Sequence, residues 1–388
     1  MTQLIPFFII LFVGVFFSGV FKKLNLPWVL ALIVGGIIVG PFALGLFEPN
    51  ETIEFISQIG LVFLMFMAGL ETKFSIFKEH SKQIIELAAL NGLIPFLAGL
   101  GVGMFLGLEF IPALFVGIVF LSSSVSVAVP SLEDSGILGT RIGRSIIATT
   151  IIEDVFSLVL LSVLLQYLDP VASLPLGIFY VLLFAVLFVL RWVIPKLMWA
   201  FRSDKKFGED LFQQEVRIIF TILIGTVIIF ELLGLHPIIA GFFAGLVLSD
   251  FIKSDILLGK IRTLSYGIFI PTFFVVIGTK TNLGIFGSVE GALMITVIII
   301  LASLISKFGS GFLGGRVLGF NNRESVVIGA STIPQLSTTL AVVATGGLLG
   351  ILSEELVTAM IILSIVTTFI GPFIIKATAK KMNLETLT

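Results

Sequence analysis

The chain of 388 residues is 57% hydrophobic and only 12% charged, with a mean hydropathy of +1.18. A soluble fold carries about a quarter charged residues and could not hide this much apolar surface, so the surplus must face lipid. A net charge of −1 leaves no basic footprint for nucleic acid, and the lack of cysteine excludes disulfides, thiolate metal sites, iron–sulfur clusters and cysteine nucleophiles.

A bilayer core takes about 20 apolar residues per helix, and on that measure the sequence predicts an all-α integral membrane protein of about thirteen spans. The first covers 3–21. It has no basic leader before it and no small-residue cleavage site before Lys22 and Lys23, so it reads as a retained span and not a signal peptide. The others cover 27–47, 54–71, 84–106, 109–131, 139–166, 171–199, 212–235, a short 236–250, 262–283, 289–315, 323–350 and 355–378.

Loop charge gives an orientation. The loops after odd-numbered spans hold Lys22 and Lys23, then Lys73, Lys78 and Lys82, then Arg141 and Arg144, then Arg202, Lys205 and Lys206, then Lys253, Lys260 and Arg262, then Arg316 and Arg323. The C-terminal tail adds Lys376, Lys380 and Lys381, whereas the other loops hold Glu48, Glu51, Glu109, Asp169, Glu354 and Glu355. Lysine and arginine accumulate on the cytoplasmic side, which predicts a cell-membrane protein with its N-terminus outside and its C-terminus inside.

Ionisable groups within the bilayer core are costly and mark function. Glu153, Asp154 and Lys307 are three such groups. Glu153 follows Arg144 by nine residues, roughly 13 Å along a helix, and Lys307 precedes Arg316 by the same interval. On antiparallel spans the acid and the lysine reach the same depth, where each offsets the other's charge. Neighbouring helical residues point about 100° apart, so with Glu153 facing Lys307, Asp154 turns toward a cavity or ion path. Thr150 and Ser157 share the face of Asp154. A carboxylate among hydroxyls is hard oxygen chemistry, suited to Na⁺ or Li⁺ and to protons and not to soft metals. A structural Glu–Lys pair beside an incidental aspartate is the plainer reading, but two adjacent acids at matched depth with a cation favour function.

Two spans carry helix-breaking chemistry. Residues 122–130 place Ser122, Ser123, Ser124 and Ser126 ahead of Pro130; residues 331–339 combine Pro334 with Gln335, Ser337, Thr338 and Thr339. Proline removes a helical hydrogen bond, and hydroxyls re-satisfy freed carbonyls. Each break falls in the middle span of a three-span set, and the two sets enter the membrane from opposite sides. Inverted repeats with broken helices at the midplane are the pattern of secondary transporters. Lesser features read as structural: Glu71, Glu86 and Glu231 reach the interface, Gln58 and Asn91 bond between helices, and Gly311, Gly314 and Gly315 admit a neighbouring helix. An intramembrane protease is not expected, since His-Glu-x-x-His is missing, Asp154 has no second deep aspartate for a partner, and His80 and His236 show no pairing. Nothing in the pattern asks for a cofactor.

The stretches Leu121-Ser-Ser-Ser-Val-Ser-Val-Ala-Val-Pro-Ser-Leu-Glu-Asp-Ser-Gly136 and Ile151-Ile-Glu-Asp-Val-Phe-Ser157 resemble the monovalent cation:proton antiporter-2 family, with its sodium/hydrogen exchanger fold. Further likeness lies in Gly234-Leu-His-Pro-Ile-Ile-Ala-Gly-Phe-Phe-Ala-Gly245, Phe273-Phe-Val-Val-Ile-Gly278 and Lys307-x6-Gly314-Gly-Arg316. The resemblance implies an antiporter of Na⁺ (or Li⁺ or K⁺) against H⁺ in the lipid bilayer. It places two crossed broken helices in a core at about 84–166 and 289–378, beside dimerisation helices at about 3–71 and 171–283. It also implies a homodimer with the first span at the interface. By this likeness Asp154 carries the ion or proton, Glu153 is the preceding acid and Lys307 is its basic partner; Ser123, Ser124, Ser126, Thr150, Ser157, Gln335, Ser337 and Thr338 become candidates for the ion path. Two positions depart from the pattern: Glu153 stands where aspartate is more familiar, and Pro334-Gln-Leu-Ser337 stands where many relatives carry Pro-Arg-Gly-Glu. Potassium-efflux members continue into a nucleotide-binding domain that is not expected here, although potassium efflux or a channel-like cation pathway is the alternative activity for the same fold.

Overall fold

The computed structural model describes residues 4–23, 27–71, 82–168, 214–232, 237–249 and 254–380, with Ile252 and isolated positions between 181 and 196. The span expected at 171–199 lies largely outside the described residues, as do Lys73, Lys78, His80, His236 and Lys253. The described residues are almost wholly helical. In lipid a backbone must satisfy its own polar groups, and a helix does so within one segment.

In chain order the helices are α1 (Leu4–Lys23), α2 (Trp28–Val39), α3 (Glu51–Glu71), α4 (Lys82–Phe105), α5 (Phe110–Leu121), α6 (Val125–Asp134), α7 (Arg141–Leu168), α8 (Gln214–Leu232), α9 (Pro237–Ser249), α10 (Asp255–Leu264), α11 (Ile270–Thr279), α12 (Ile285–Ser288), α13 (Ala292–Val317), α14 (Asn322–Thr332), α15 (Ser337–Leu348) and α16 (Glu354–Ala379). Nine stretches among the described residues are long and apolar enough to cross a membrane, and Trp28–Val39 and Pro237–Ser249 are shorter apolar helices. The tenth predicted span begins earlier than its apolar run, at Asp255. Ser254 caps it, its hydroxyl accepting from the Leu257 amide, and a π turn at Ser265–Phe269 joins α10 to α11.

Both broken spans are interrupted. The first stops at Leu121 and resumes at Val125; the second stops at Thr332 and resumes at Ser337. Pro334 lies within the second interruption, where its missing N–H favours a break. Pro130 does not lie within the first. It sits inside α6, and the chain leaves the helix at the three serines instead. The reason is tertiary: side chains from other helices take up the carbonyls at the end of α5 and compete with continued helix.

The helices form two compact units. One consists of the described residues of 51–78 and 162–273. There α3 meets α9 at Gly69 and Gly245, where a side chain on either glycine would strike the partner's backbone, and Phe63 packs against Phe220 and Phe269 at 4.6 and 4.9 Å between ring centroids. The other unit consists of the described residues of 1–50, 79–161 and 274–388. It holds two sets of three, α4–α5/α6–α7 and α13–α14/α15–α16, which are the inverted repeats with crossed discontinuous helices. Within it α13 packs on α4, α14 and α16, meeting α14 at Gly311 and Gly329. Its apolar floor is a buried cluster that includes Leu87, Leu132, Ile142, Ile146, Val327, Ile328 and Ile375.

Candidate ion-binding site

The end of α5 organises the site. A helix leaves its last four carbonyls without intrahelical donors. Here side chains supply donors to all four. Ser157 of α7 donates to the Ile118 carbonyl at 3.4 Å; the Gln335 Nε2 donates to Val119 at 3.1 Å and Phe120 at 3.2 Å; the Lys307 Nζ donates to Leu121 at 2.7 Å. The two interruptions also bond to each other. The Ser124 amide donates to the Pro334 carbonyl at 2.7 Å, the Ser123 hydroxyl reaches the Thr332 carbonyl at 3.1 Å, and the hydroxyls of Ser122 and Thr339 lie 2.6 Å apart.

Lys307 and Glu153 are fully buried. The Lys307 Nζ lies 3.1 Å from Glu153 Oε2 and 2.8 Å from the Ser123 hydroxyl, so with Leu121 its three protons each have an acceptor. Glu153 also receives the Ser123 hydroxyl on Oε2 at 2.6 Å and the Asn91 amide of α4 on Oε1 at 2.5 Å. The Asn91 oxygen in turn accepts from Ser310 at 2.6 Å. A buried ion pair is tolerated only when hydrogen bonds satisfy its remaining atoms, and this one meets that condition.

The adjacent acid has a different surrounding. Asp154 is also buried, and its Oδ1 has no hydrogen-bond partner among the described residues. The Ser123 backbone amide and the Thr338 hydroxyl face the carboxylate, Thr338 lying off hydrogen-bonding geometry. The buried hydroxyls of Thr149 and Thr150, from the preceding turn of α7, also lack a partner among the described residues. The site therefore joins one saturated carboxylate to one with an open oxygen, faced by the Thr338 hydroxyl. Oxygen ligands of this kind suit a small hard cation or a proton. Among the described residues no group of three His, Cys, Asp or Glu could hold a metal of another class.

The remaining candidates fall around this centre. Ser124 shares a 3.0 Å contact with Ser126, which is exposed; Ser337 is buried at the first position of α15; the hydroxyl of Ser157 is turned to Ile118. Sequence reasoning did not single out Ser303, which donates to the Gln335 oxygen at 3.1 Å, nor Ser310. Their spacing carries a signal: Ser303, Lys307, Ser310 and Gly314 recur every three to four residues along an otherwise apolar helix and mark one buried face.

A family model described as the sodium/hydrogen exchanger, transmembrane, matches residues 7–381. The chain belongs to the sodium/hydrogen exchanger family. Among its family relatives, the probable Na(+)/H(+) antiporter 3 of Methanocaldococcus jannaschii is 32% identical over 95% of each chain. The Na(+)/H(+)-K(+) antiporter GerN of Bacillus cereus is 31% identical over 92% of this chain and 91% of that one. The sodium proton antiporter MjNhaP1 from Methanocaldococcus jannaschii, solved at pH 8, superposes with a TM-score of 0.71 over 96% of both chains. At 18% identity that exchanger structure speaks for the fold: an integral membrane antiporter architecture.

Proposed function

We propose that this protein is a secondary antiporter that exchanges Na⁺ for H⁺ across a cell membrane, with Asp154 holding cation and proton in turn. The observation that carries this reading is the contrast of neighbours on α7: Glu153 is saturated by Asn91, Ser123 and Lys307, whereas the Asp154 Oδ1 is buried and open. A carboxylate that must release one ligand to take the other couples the two fluxes by competition. Thr150 and Thr338 supply further oxygens for a partly dehydrated cation. Lys307 balances Glu153 and closes the end of α5, so the buried charge at the crossing is compensated apart from the ion itself.

In this reading the ion-carrying helices, about 84–166 and 289–378, move to open Asp154 to each side in turn, and those at about 3–71 and 171–283 act as the scaffold. The lysine- and arginine-rich loops support a cytoplasmic C-terminus. The partner is a second copy of the chain, met across α1, whose Phe8, Phe12 and Phe16 form a stacked, exposed row. The chemistry is transport: apart from the O–H bond formed and broken as Asp154 takes and releases its proton, no covalent bond changes.

The test is proton movement in energised everted vesicles to which Na⁺, Li⁺ and K⁺ are added in turn. Dissipation of the pH gradient by Na⁺ in the wild type, and its loss in Asp154→Asn with normal membrane levels, is the expected result. Cation flux without proton movement would replace antiport by a channel-like pathway. Potassium as an additional substrate is the second reading, favoured by the likeness to the Na(+)/H(+)-K(+) antiporter GerN, and a K⁺ response in the same assay decides it.

A further inference from the structure

We propose that Asn91, supported by Ser310, is a positioning residue that keeps Glu153 out of the ion site, so that exchange runs on the single carboxylate of Asp154. This rests on the antiport reading above and deepens it, since it fixes which of two adjacent acids meets the substrate.

Proton counting carries the argument. Lys307 uses its three protons on Leu121, Ser123 and Glu153. Ser123 accepts from Lys307 and has one proton of its own, directed at Glu153 Oε2 at 2.6 Å and shared with the Thr332 carbonyl at 3.1 Å. Two donors therefore converge on Oε2, and neither reaches Oε1. The donor at Oε1 is the Asn91 amide. Without it, Oε1 would be a buried, unmatched acceptor beside Asp154, the same condition that marks Asp154 as the ion ligand.

An amide presents a donor at one end and an acceptor at the other, so Asn91 serves Glu153 only in one of two orientations. Glu153, which only accepts, selects that orientation: a flipped amide would set a carbonyl against the carboxylate. The Ser310 hydroxyl supports it by donating to the Asn91 oxygen at 2.6 Å, its proton shared with the Lys307 carbonyl at 3.0 Å. Asn91 and Ser310 are both buried, on α4 and α13, and Ser310 lies one turn after Lys307. The helix that supplies the counter-charge thus also supports the amide that holds the acid's other oxygen. The titratable groups facing Glu153 among the described residues are Lys307 from α13 and Asp154 on its own helix; Asn91 from α4 and Ser123 from the interruption are not titratable.

The experiment compares purified wild type with Asn91→Asp, Asn91→Leu and Ser310→Ala, each reconstituted as the full chain in proteoliposomes. Na⁺-driven proton flux is measured across pH, and the H⁺:Na⁺ ratio is read from the null point at a clamped potential. Asn91→Asp sets a second carboxyl against Glu153, and the pair must share a proton; the pH profile of exchange is expected to move toward alkaline pH by about 1 unit or more. Asn91→Leu frees Oε1 and is expected to change both the Na⁺ KM and the H⁺:Na⁺ ratio. Ser310→Ala keeps every charge and the Asn91 amide itself, and is expected to shift the profile in the same direction by a smaller amount, which keeps the test available should Asn91→Asp fail to fold. A purely structural role for Asn91 would lower the yield of folded protein and the maximal rate while leaving profile, KM and ratio at wild-type values, and that result overturns the inference. A folded wild type that moves no protons with any cation overturns the antiport reading, and the inference with it.

Discussion

The two interruptions that cross at the site are closed by different means. At the first, residues 122–124, side chains from three other helices or their junctions take the carbonyls of α5, and one of them is a charged lysine. The second, residues 333–336, uses neutral groups, drawn from its own helix, from α16 and from the first interruption. The Thr332 hydroxyl turns back on Gly329 at 2.9 Å, the Ile333 amide reaches Ala330 at 3.4 Å, and Ser123 and Ser124 of the first interruption bond to the Thr332 and Pro334 carbonyls. The Gln335 amide adds a 3.3 Å bond to Thr367 of α16. Both interruptions therefore rely on distant groups, but the first takes a buried lysine and has no proline within it, whereas the second contains Pro334 and is closed by neutral groups alone. A buried positive charge is tied to the first interruption alone among the described residues.

That contrast can be broken by substitution, and the largest effect is expected at Lys307. Lys307→Met strands the Glu153 carboxylate and uncovers the Leu121 carbonyl, for a loss of about 3–5 kcal/mol in detergent-solubilised stability. Adding Glu153→Gln removes the stranded charge, and the double variant should recover about 2 kcal/mol of that loss in the same melting experiment. A double variant no more stable than Lys307→Met would mean that the lysine matters to α5 and not to the acid.

Gln335→Leu should cost less, about 1–2 kcal/mol, because it leaves two carbonyls of α5 without their donor but strands no charge. Hydrogen exchange sharpens the comparison: protection should fall at the end of α5 and persist in α14. The smallest effect is expected on the side closed by neutral groups alone. Thr367→Val removes one neutral acceptor from the second interruption and should cost about 0.6 kcal/mol. If Thr367→Val proved as damaging as Gln335→Leu, the two interruptions would depend equally on distant side chains and the contrast would fail.

Much of this was legible before any coordinates. Twelve of the predicted spans overlap described helices, because a lipid-spanning segment must declare itself by an apolar run, although the second, expected over 27–47, is helical only over Trp28–Val39. The interruptions were legible from clustered serines and threonines with proline in apolar surroundings. The cause of the first was misplaced on Pro130, which lies within α6, since proline acts on the turn before it and says nothing of carbonyls satisfied from elsewhere. Asn91 read as an interhelical hydrogen-bonding residue, and it is one, but its partner was hidden: Glu153 lies 62 residues away on another helix.

The sequence by itself determined the membrane setting, the helical class, the two interrupted spans and the short roster of buried ionisable groups, because burying backbone or charge in lipid leaves few alternatives. It could not determine how adjacent acids divide their partners. Glu153 and Asp154 differ by one methylene and one position, and their separate surroundings are set by Asn91, Ser123, Lys307 and Thr338, which four other segments bring together. Only tertiary structure decided that Glu153 is saturated and that Asp154 keeps an open oxygen. Hydrogen bonds act over about 3 Å, and sequence spacing fixes direction along one helix but not what stands opposite it.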